Sequence, residues 1–398
     1  MGSYKEIADK NALRLHHLCT ILPNERFGQF VELNDGSLLT IFTFNNTSNI
    51  SISRDDGATW SDREIKDENG LKINNICNAA PLLRTKSGVL VLVYMWYGEF
   101  EPLKSLDVWS IRSLDEGQTW VDGQRIYKGY CGGLNNIIQT KTGHIVVPVE
   151  GLLLTPNMHH AQSVFISADE GKSWEQSVFK SMELGSPKFL DLGGYGDHDG
   201  TMEATIIELK DGRLWMLIRT PLYCLWEAFS EDQGQSWHMM RPSQFDASNS
   251  PGYLARLSSG RIALVWNRLY PEGLDTEGYL EASTAGDDEI RKICPFAHAY
   301  TANVQRDEIS IAFSEDEGKT WTLPVALARD ISNRNLAYPY IFERRPGELW
   351  IYATQGKPPV GIKLFEKDFI RRKGLDVILS NLFKRFANWL FIMLKGIP

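Results

Sequence analysis

Five chemically capable residues, Arg26, Glu203, Arg219, Arg306 and Tyr338, are scattered along almost the whole of this 398-residue chain. Three guanidiniums aimed at one point repel each other unless an anion lies between them. A guanidinium fork also matches a carboxylate through two parallel hydrogen bonds. A tyrosine beside a glutamate is a poor structural pair but a workable nucleophile with its base. Brought together, the five describe a site that grips a carboxylated ligand and can attack it. No HExxH or CxxC pattern is present, so neither a metal nor another cofactor is expected.

Such residues meet only if the chain returns repeatedly to one place, and a repeat provides for that. The pattern Ser-x-Asp-x-Gly-x-x-Trp occurs as SRDDGATW from Ser53, SLDEGQTW from Ser113, SADEGKSW from Ser167, SEDQGQSW from Ser230 and SEDEGKTW from Ser314. Each copy has the chemistry of a hairpin turn. The Asp carboxylate accepts backbone N–H groups, the Gly supplies a positive φ, and the Trp is expected to bury its ring near one rim. The acidic residues lack the carboxylate density of a calcium loop, which favours a structural turn. Between the boxes, apolar stretches flank glycine turns at Gly36, Gly88, Gly143, Gly212, Gly260 and Gly347. Six glycine turns alternating with five boxes give two hairpins per unit, hence four antiparallel strands in each of six units. The expected fold is all-β, a six-bladed β-propeller.

That order sorts residues by face. If the glycine turn joins the first and second strands and the box joins the third and fourth, both turns lie on one rim. The opposite rim then carries the starts of first strands, the ends of second strands and the loops between blades. Arg26, Glu203, Arg219, Arg306 and Tyr338 all fall there. So do Glu150, His159, His160, Asp197, His198 and Asp199, while Glu99, Glu101 and Arg268 read as salt-bridged surface groups.

Five boxes alternating with glycine hairpins resemble the Asp-box repeats of the sialidase (neuraminidase) superfamily, over about residues 24 to 365. The resemblance implies an arginine triad for a sugar carboxylate and a Tyr nucleophile activated by a Glu. Glu203 and Arg219 in MEATIIELKDGRLWMLIRT, Arg306 before EISIAFSEDEGKTW and Tyr338 in AYPYI match the family's positions. The chain departs at two places. Arg26 sits in Glu25-Arg26-Phe27-Gly28 rather than Phe-Arg-Ile-Pro, and the blade-one stretch FNNTSNISIS offers Asn45, Asn46 and Asn49 where the family has an acidic Asp. A replacement proton donor is sought in Asp197, His198 and Asp199, on a glycine-rich approach that can equally be a flexible loop of solvated charges. His159 with His160 is a second place to look. The implied activity is an exo-glycosidase acting on sialic acid or a related sugar acid of a glycan. The alternatives are a glycosidase or lyase for a different acidic sugar, and a glycan-binding propeller without turnover.

Composition fits one large domain. The net charge of −8, with both signs interspersed, argues against a nucleic-acid partner. Cys19, Cys77, Cys131, Cys224 and Cys294 are scattered and odd in number, and read as free thiols. Residues 1–23 are too polar for a signal peptide, which makes a cytoplasmic location the default expectation. From residue 366 the pattern turns helical and basic: Leu375, Ile378, Leu379, Leu382, Phe386, Trp389, Leu390 and Met393 recur at three and four. This amphipathic helix, 366–398, is expected to pack on the propeller or a partner subunit, or to lie on an anionic membrane surface.

Overall fold

The computed structural model describes residues 4–6, 13–23, 26–44, 47–74, 76, 81–98, 105–153, 159–177, 200–221, 224–268, 306–330, 335–355 and 359–370. They form six sheets, each built on four antiparallel strands. Blade one is Phe30–Glu32, Leu38–Phe44, Thr47–Ser53 and Ser61–Glu64. Blade two is Leu82–Arg84, Leu90–Gly98, Ser105–Ser113 and Val121–Tyr127. Blade three is Ile138–Gln139, Ile145–Leu153, His159–Ser167 and Glu175–Gln176. Blade four is Met202–Glu208, Leu214–Arg219, Cys224–Ser230 and His238–Asp246. Blade five is Tyr253–Arg256, Ile262–Trp266, Glu308–Ser314 and Val325–Asp330. The core lies between blades, so a second strand such as Leu214–Arg219 is buried on both faces while the outer strand Val121–Tyr127 stays mostly wet.

Blade six closes the ring with both ends of the propeller. Pro339–Arg345, Glu348–Ala353 and Val360–Phe365 take Thr20–Ile21 as their fourth strand. Leu13–His16 adds to the edge of blade five beside Val325–Asp330, and Tyr4–Glu6 pairs with it in turn. The segment 1–23, read from sequence as lying outside the propeller, therefore supplies strands to two blades.

The glycine turns and boxes join the strand pairs expected of them. In the first box the Ser53 hydroxyl accepts the Gly57 N–H at 2.8 Å, and Asp55 accepts the Thr59 N–H at 2.8 Å and the Thr59 hydroxyl at 2.6 Å. The other four boxes repeat the set. The residue before each box glycine is also left-handed: Asp56, Glu116, Glu170, Gln233 and Glu317 have φ between 56° and 61°. This conformation sends its side chain to the glycine turn of the preceding blade. Glu116 accepts the Asn34 N–H at 2.9 Å, Glu170 meets Ser87, Gln233 accepts the Thr142 hydroxyl at 2.7 Å and Glu317 accepts the Lys210 N–H at 2.8 Å. Asp56 closes the circle on Arg344 and Arg345 of blade six.

Blade six has no box, so the glycine turn of blade five lacks this latch. Glu343 of blade six accepts the Ser258 N–H at 2.6 Å instead, and a one-turn helix, Glu366–Phe369, adds a second contact. Buried Glu366 accepts the Ser259 hydroxyl at 2.6 Å and lies 3.4 Å from Arg261 Nη1. The turn ends at Phe369, and Ile370 is extended, so 366–370 is not one continuous helix; the rest of the expected C-terminal helix, residues 371–398, lies outside the described residues.

Expectation and structure part at the box tryptophans. Only Trp120 is fully buried, covered where Asp67 bridges to it and Ile65, Ile73 and Ile76 pack around it. Trp60, Trp174, Trp237 and Trp321 are half-buried. In three of these the indole N–H donates to the carbonyl of the box glycine, at 3.0 to 3.1 Å, which holds the ring over its own turn with one edge in solvent. Cys19, Cys131 and Cys224 are buried free thiols; Cys77 and Cys294 lie outside the described residues.

Candidate functional site

Glu203 sits one residue into the first strand of blade four, where the register slips. Met202 pairs with Arg219 and Thr205 with Leu217, so Glu203 and Ala204 together oppose Ile218. Such a bulge re-aims a side chain. Glu203 takes φ +32°, and its carboxylate meets Arg219 Nη1 at 2.5 Å, both groups being buried. The same nitrogen donates to the Tyr338 phenol oxygen at 3.1 Å. Tyr338, just before the first strand of blade six, has φ +57°. Apart from the five box residues, Asp122 and Met239, these two are the only described non-glycine residues with positive φ. Strain of this kind persists where the surroundings over-determine it. The Tyr338 carbonyl accepts from the Thr354 hydroxyl at 3.0 Å and the Thr354 N–H at 3.3 Å.

Arg306 completes the cluster. Its Nη2 donates to the Asn249 carbonyl at 2.7 Å, its Nη1 to Gln355 Oε1 at 2.5 Å, and its guanidinium carbon lies 5.6 Å from the Tyr338 ring centroid. Asn249 joins the two arginines, since its side-chain oxygen accepts from Arg219 Nε at 2.7 Å. Four of the five residues singled out from sequence are thus together. Glu203 and Arg219 are buried, with Tyr338 and Arg306 half-buried beside them.

Arg26 is engaged elsewhere. It donates to Asp62 at 2.6 Å and Ser51 at 3.0 Å and lies 4.3 Å from the Phe42 ring centroid, across the strands of blade one. Asp197, His198 and Asp199, together with Glu99, Glu101, Asn45, Asn46 and the His159 side chain, lie outside the described residues. Asn49 is not in a loop. Thr47–Ser53 is a strand paired Phe44 to Thr47, so the stretch expected to be a loop shrinks to a tight hairpin.

The charges at the site do not balance within it. Burial and then repulsion from Arg219 push the Arg306 guanidinium below its ordinary range, while its acceptors Asn249 and Gln355 among the described residues are neutral. Burial and the neighbouring Glu203 hold the Tyr338 phenol neutral, well above its usual value, against the pull of the two arginines. A half-buried cation with no carboxylate in hydrogen-bond contact among the described residues, beside a neutral phenol, is suited to an incoming anion.

Sequence reading named Glu150 as a rim residue and His160, with His159, as a second place for the proton donor; His160 is instead buried against Glu150. They form a buried pair under the site: His160 Nδ1 lies 2.6 Å from Glu150 Oε1, and Glu150 Oε2 accepts the Glu203 N–H at 3.0 Å. Asn249 and the bulge carried no signal in the sequence beyond a short polar run, Ser248-Asn249-Ser250. Among the described residues, no three His, Cys, Asp or Glu side chains are grouped to hold a metal ion.

Residues 45–351 match the BNR repeat-like domain family. No curated protein sequence matches the chain. Among solved structures, a protein of unknown function from Dyadobacter fermentans DSM 18053 aligns at 14% identity with a TM-score of 0.57, covering 89% of this chain and 99% of that one. The Hadza microbial sialidase Hz136 aligns at 16% identity and 0.56, covering 86% of this chain, which spans 65% of the sialidase. A mutant of the NanB sialidase from Streptococcus pneumoniae aligns at 12% identity and 0.53, covering 93% of this chain and 71% of that one. At these identities the likeness is one of fold.

Proposed function

We propose that this chain, which belongs to the BNR repeat-like domain family, is a glycoside hydrolase that removes a terminal acidic sugar, sialic acid or a related sugar acid, from a glycan. The observation that carries this reading is Arg219 Nη1, which touches both Glu203 and Tyr338 while Arg306 stands over the Tyr338 ring. The sugar carboxylate is received by Arg306 and Arg219. Tyr338 Oη attacks the anomeric carbon and passes its proton to Glu203 as the bond to the leaving oxygen breaks. Water then attacks the same carbon and breaks its bond to Tyr338 Oη, its proton returning to the group that protonated the leaving oxygen (or to the released aryloxide), and Tyr338 recovers its own from Glu203. A neutral phenol suits this substrate, because a carboxylate nucleophile is repelled by a sugar carrying its own carboxylate beside the reacting carbon.

The leaving oxygen needs a proton donor unless it is already a weak base. Asp197, His198 or Asp199 is the proposed source, and Arg26 the proposed third arginine if it can exchange Asp62 for the substrate. The hairpin that takes the place of the expected blade-one loop favours a second reading, a propeller that binds acidic glycans without turnover. A screen of aryl glycosides of sialic acid and other sugar acids, in wild type, Glu203→Gln and Tyr338→Phe, separates the two. Turnover abolished by both substitutions supports the hydrolase. Binding without turnover in the wild type supports the lectin-like reading.

A further inference from the structure

Beneath the site lies a pair of ionisable groups that the chemistry above does not use. Glu150 lies in the second strand of blade three, Ile145–Leu153, and His160 in the neighbouring strand His159–Ser167, where it pairs with Leu152, two residues beyond Glu150. Both are nearly inaccessible, at 3% and 4% exposure. Glycines close the space over them. A Cβ on Gly132 would come within 2.1 Å of Glu150 Oε1, and one on Gly133 within 2.6 Å of Glu203 Cγ. A Cβ on Gly200 would fall 2.1 Å from the His160 carbonyl, which accepts the Thr201 N–H at 3.0 Å. The backbone is thus laid directly on the two carboxylates. An ionised carboxylate so deeply buried needs both a counter-charge and donors. Glu150 has one of each: His160 on Oε1 and the Glu203 N–H on Oε2.

We propose that Glu150 and His160 form a positioning dyad: charged His160 keeps Glu150 ionised, and Glu150 pins the Glu203 N–H so that the bulge aims its side chain at Arg219 and Tyr338. The inference rests on the reading of Glu203 as the base of the site. Among the described residues, the groups facing the pair are Glu203, Arg219, Cys131 and Tyr127, with the Tyr130 ring against His160. Burial raises the Glu150 carboxyl, Glu203 raises it further, and His160 opposes both. Burial works against a charged His160, yet Glu150 outweighs it and the imidazole is raised. Each partner therefore favours the charged form of the other, although burial still leaves the Glu150 carboxyl raised. Glu150 loses its charge as pH falls through its raised value, and the acceptor that fixes Glu203 weakens with it.

Three variants divide the roles. Glu150→Gln keeps an oxygen for the Glu203 N–H but removes the charge, Glu150→Ala removes both, and His160→Gln removes the counter-charge. In the substrate-free protein, imidazole resonances should report a His160 titration above the ordinary value that falls by about one unit or more in Glu150→Gln. Crystal structures should show Glu203 leaving its positive φ and its contact with Arg219 in Glu150→Ala, and retaining both in Glu150→Gln. Where an aryl glycoside is turned over, kcat should drop about 100-fold in Glu150→Ala with KM little changed, and Glu150→Gln should restore most of it. The acidic limb of the profile should move to higher pH in His160→Gln. An unmoved His160 titration in Glu150→Gln, or an unmoved Glu203 in Glu150→Ala, overturns the dyad whether or not any sugar is hydrolysed. Should Glu150→Ala not fold, the titration in the nearly isosteric Glu150→Gln decides alone. Failure of the hydrolase reading shows separately, as no turnover from a wild type whose dyad behaves as stated.

Discussion

Glu203 and Tyr338, from blades four and six, share one nitrogen: Arg219 Nη1 lies 2.5 Å from the carboxylate and 3.1 Å from the phenol oxygen. Both residues reach it from left-handed backbone. Arg219 therefore orients the base and the nucleophile, while Arg306, held by neutral acceptors, is the freer cation for a substrate anion.

Arg306→Ala should then weaken binding of a carboxylated sugar by about 2 to 5 kcal/mol, the range for losing one side of a desolvated charge pair. The methyl ester of the same sugar should bind wild type and variant alike. Calorimetric titration of acid and ester checks this. Equal wild-type affinities for the two would remove the carboxylate from the account.

Leaving-group dependence follows from the blade-one hairpin. Nitrophenol departs without a proton and a sugar alkoxide does not. Activated aryl glycosides should be turned over faster than alkyl linkages, and Asp199→Asn or His198→Ala should slow the alkyl substrates alone if that residue is the donor. Rates on both substrate types in the three proteins give the answer.

How much of this was legible beforehand is seen residue by residue. The six blades were readable because each box writes its turn in side chains: Asp55 and Ser53 satisfy backbone groups four residues away, a local requirement visible in the local sequence. Glu203, Arg219, Arg306 and Tyr338 were placed correctly because strand order alone sorts residues by rim. Asn249, the Glu203 bulge and the Glu150–His160 pair were not legible: Asn249 joins arginines of blades four and five, while the bulge and the pair depend on register and side-chain direction within one blade, which no spacing encodes. The direction of Arg26 was lost for the same reason, its choice being set by Asp62 on the outer strand.

The boxes should be structural. Asp169→Ala should lower stability by about 1 to 3 kcal/mol through lost turn hydrogen bonds, with activity per folded molecule retained. For Asp169, Asp232 and Asp316, burial raises the carboxyl but hydrogen bonds from the turn outweigh it and the net shift is downward; in exposed Asp55 the Thr59 hydrogen bonds lead. A folded value below the unfolded one gives stability present above about pH 4 and lost as pH falls through the lower folded value. Melting temperature against pH should therefore fall steeply below about pH 4, and Asp169→Asn should differ least from wild type at that acid end.

Glu366 should act as one part of the missing sixth latch. Glu366→Ala removes the acceptor for Ser259 and the partner of Arg261, and should cost about 1 to 3 kcal/mol in denaturant unfolding. A variant as stable as wild type would show that strand pairing and the Glu343 bonds to Ser258 suffice to close blade six.

The central claim is that Tyr338 becomes covalently attached to the sugar. A fluorinated acidic glycosyl fluoride, whose second fluorine slows release, should leave its mass on the peptide containing Tyr338 in the wild type. Glu203→Gln should label slowly and Tyr338→Phe not at all. An adduct on another residue, or hydrolysis of the reagent with none on Tyr338, would contradict the account.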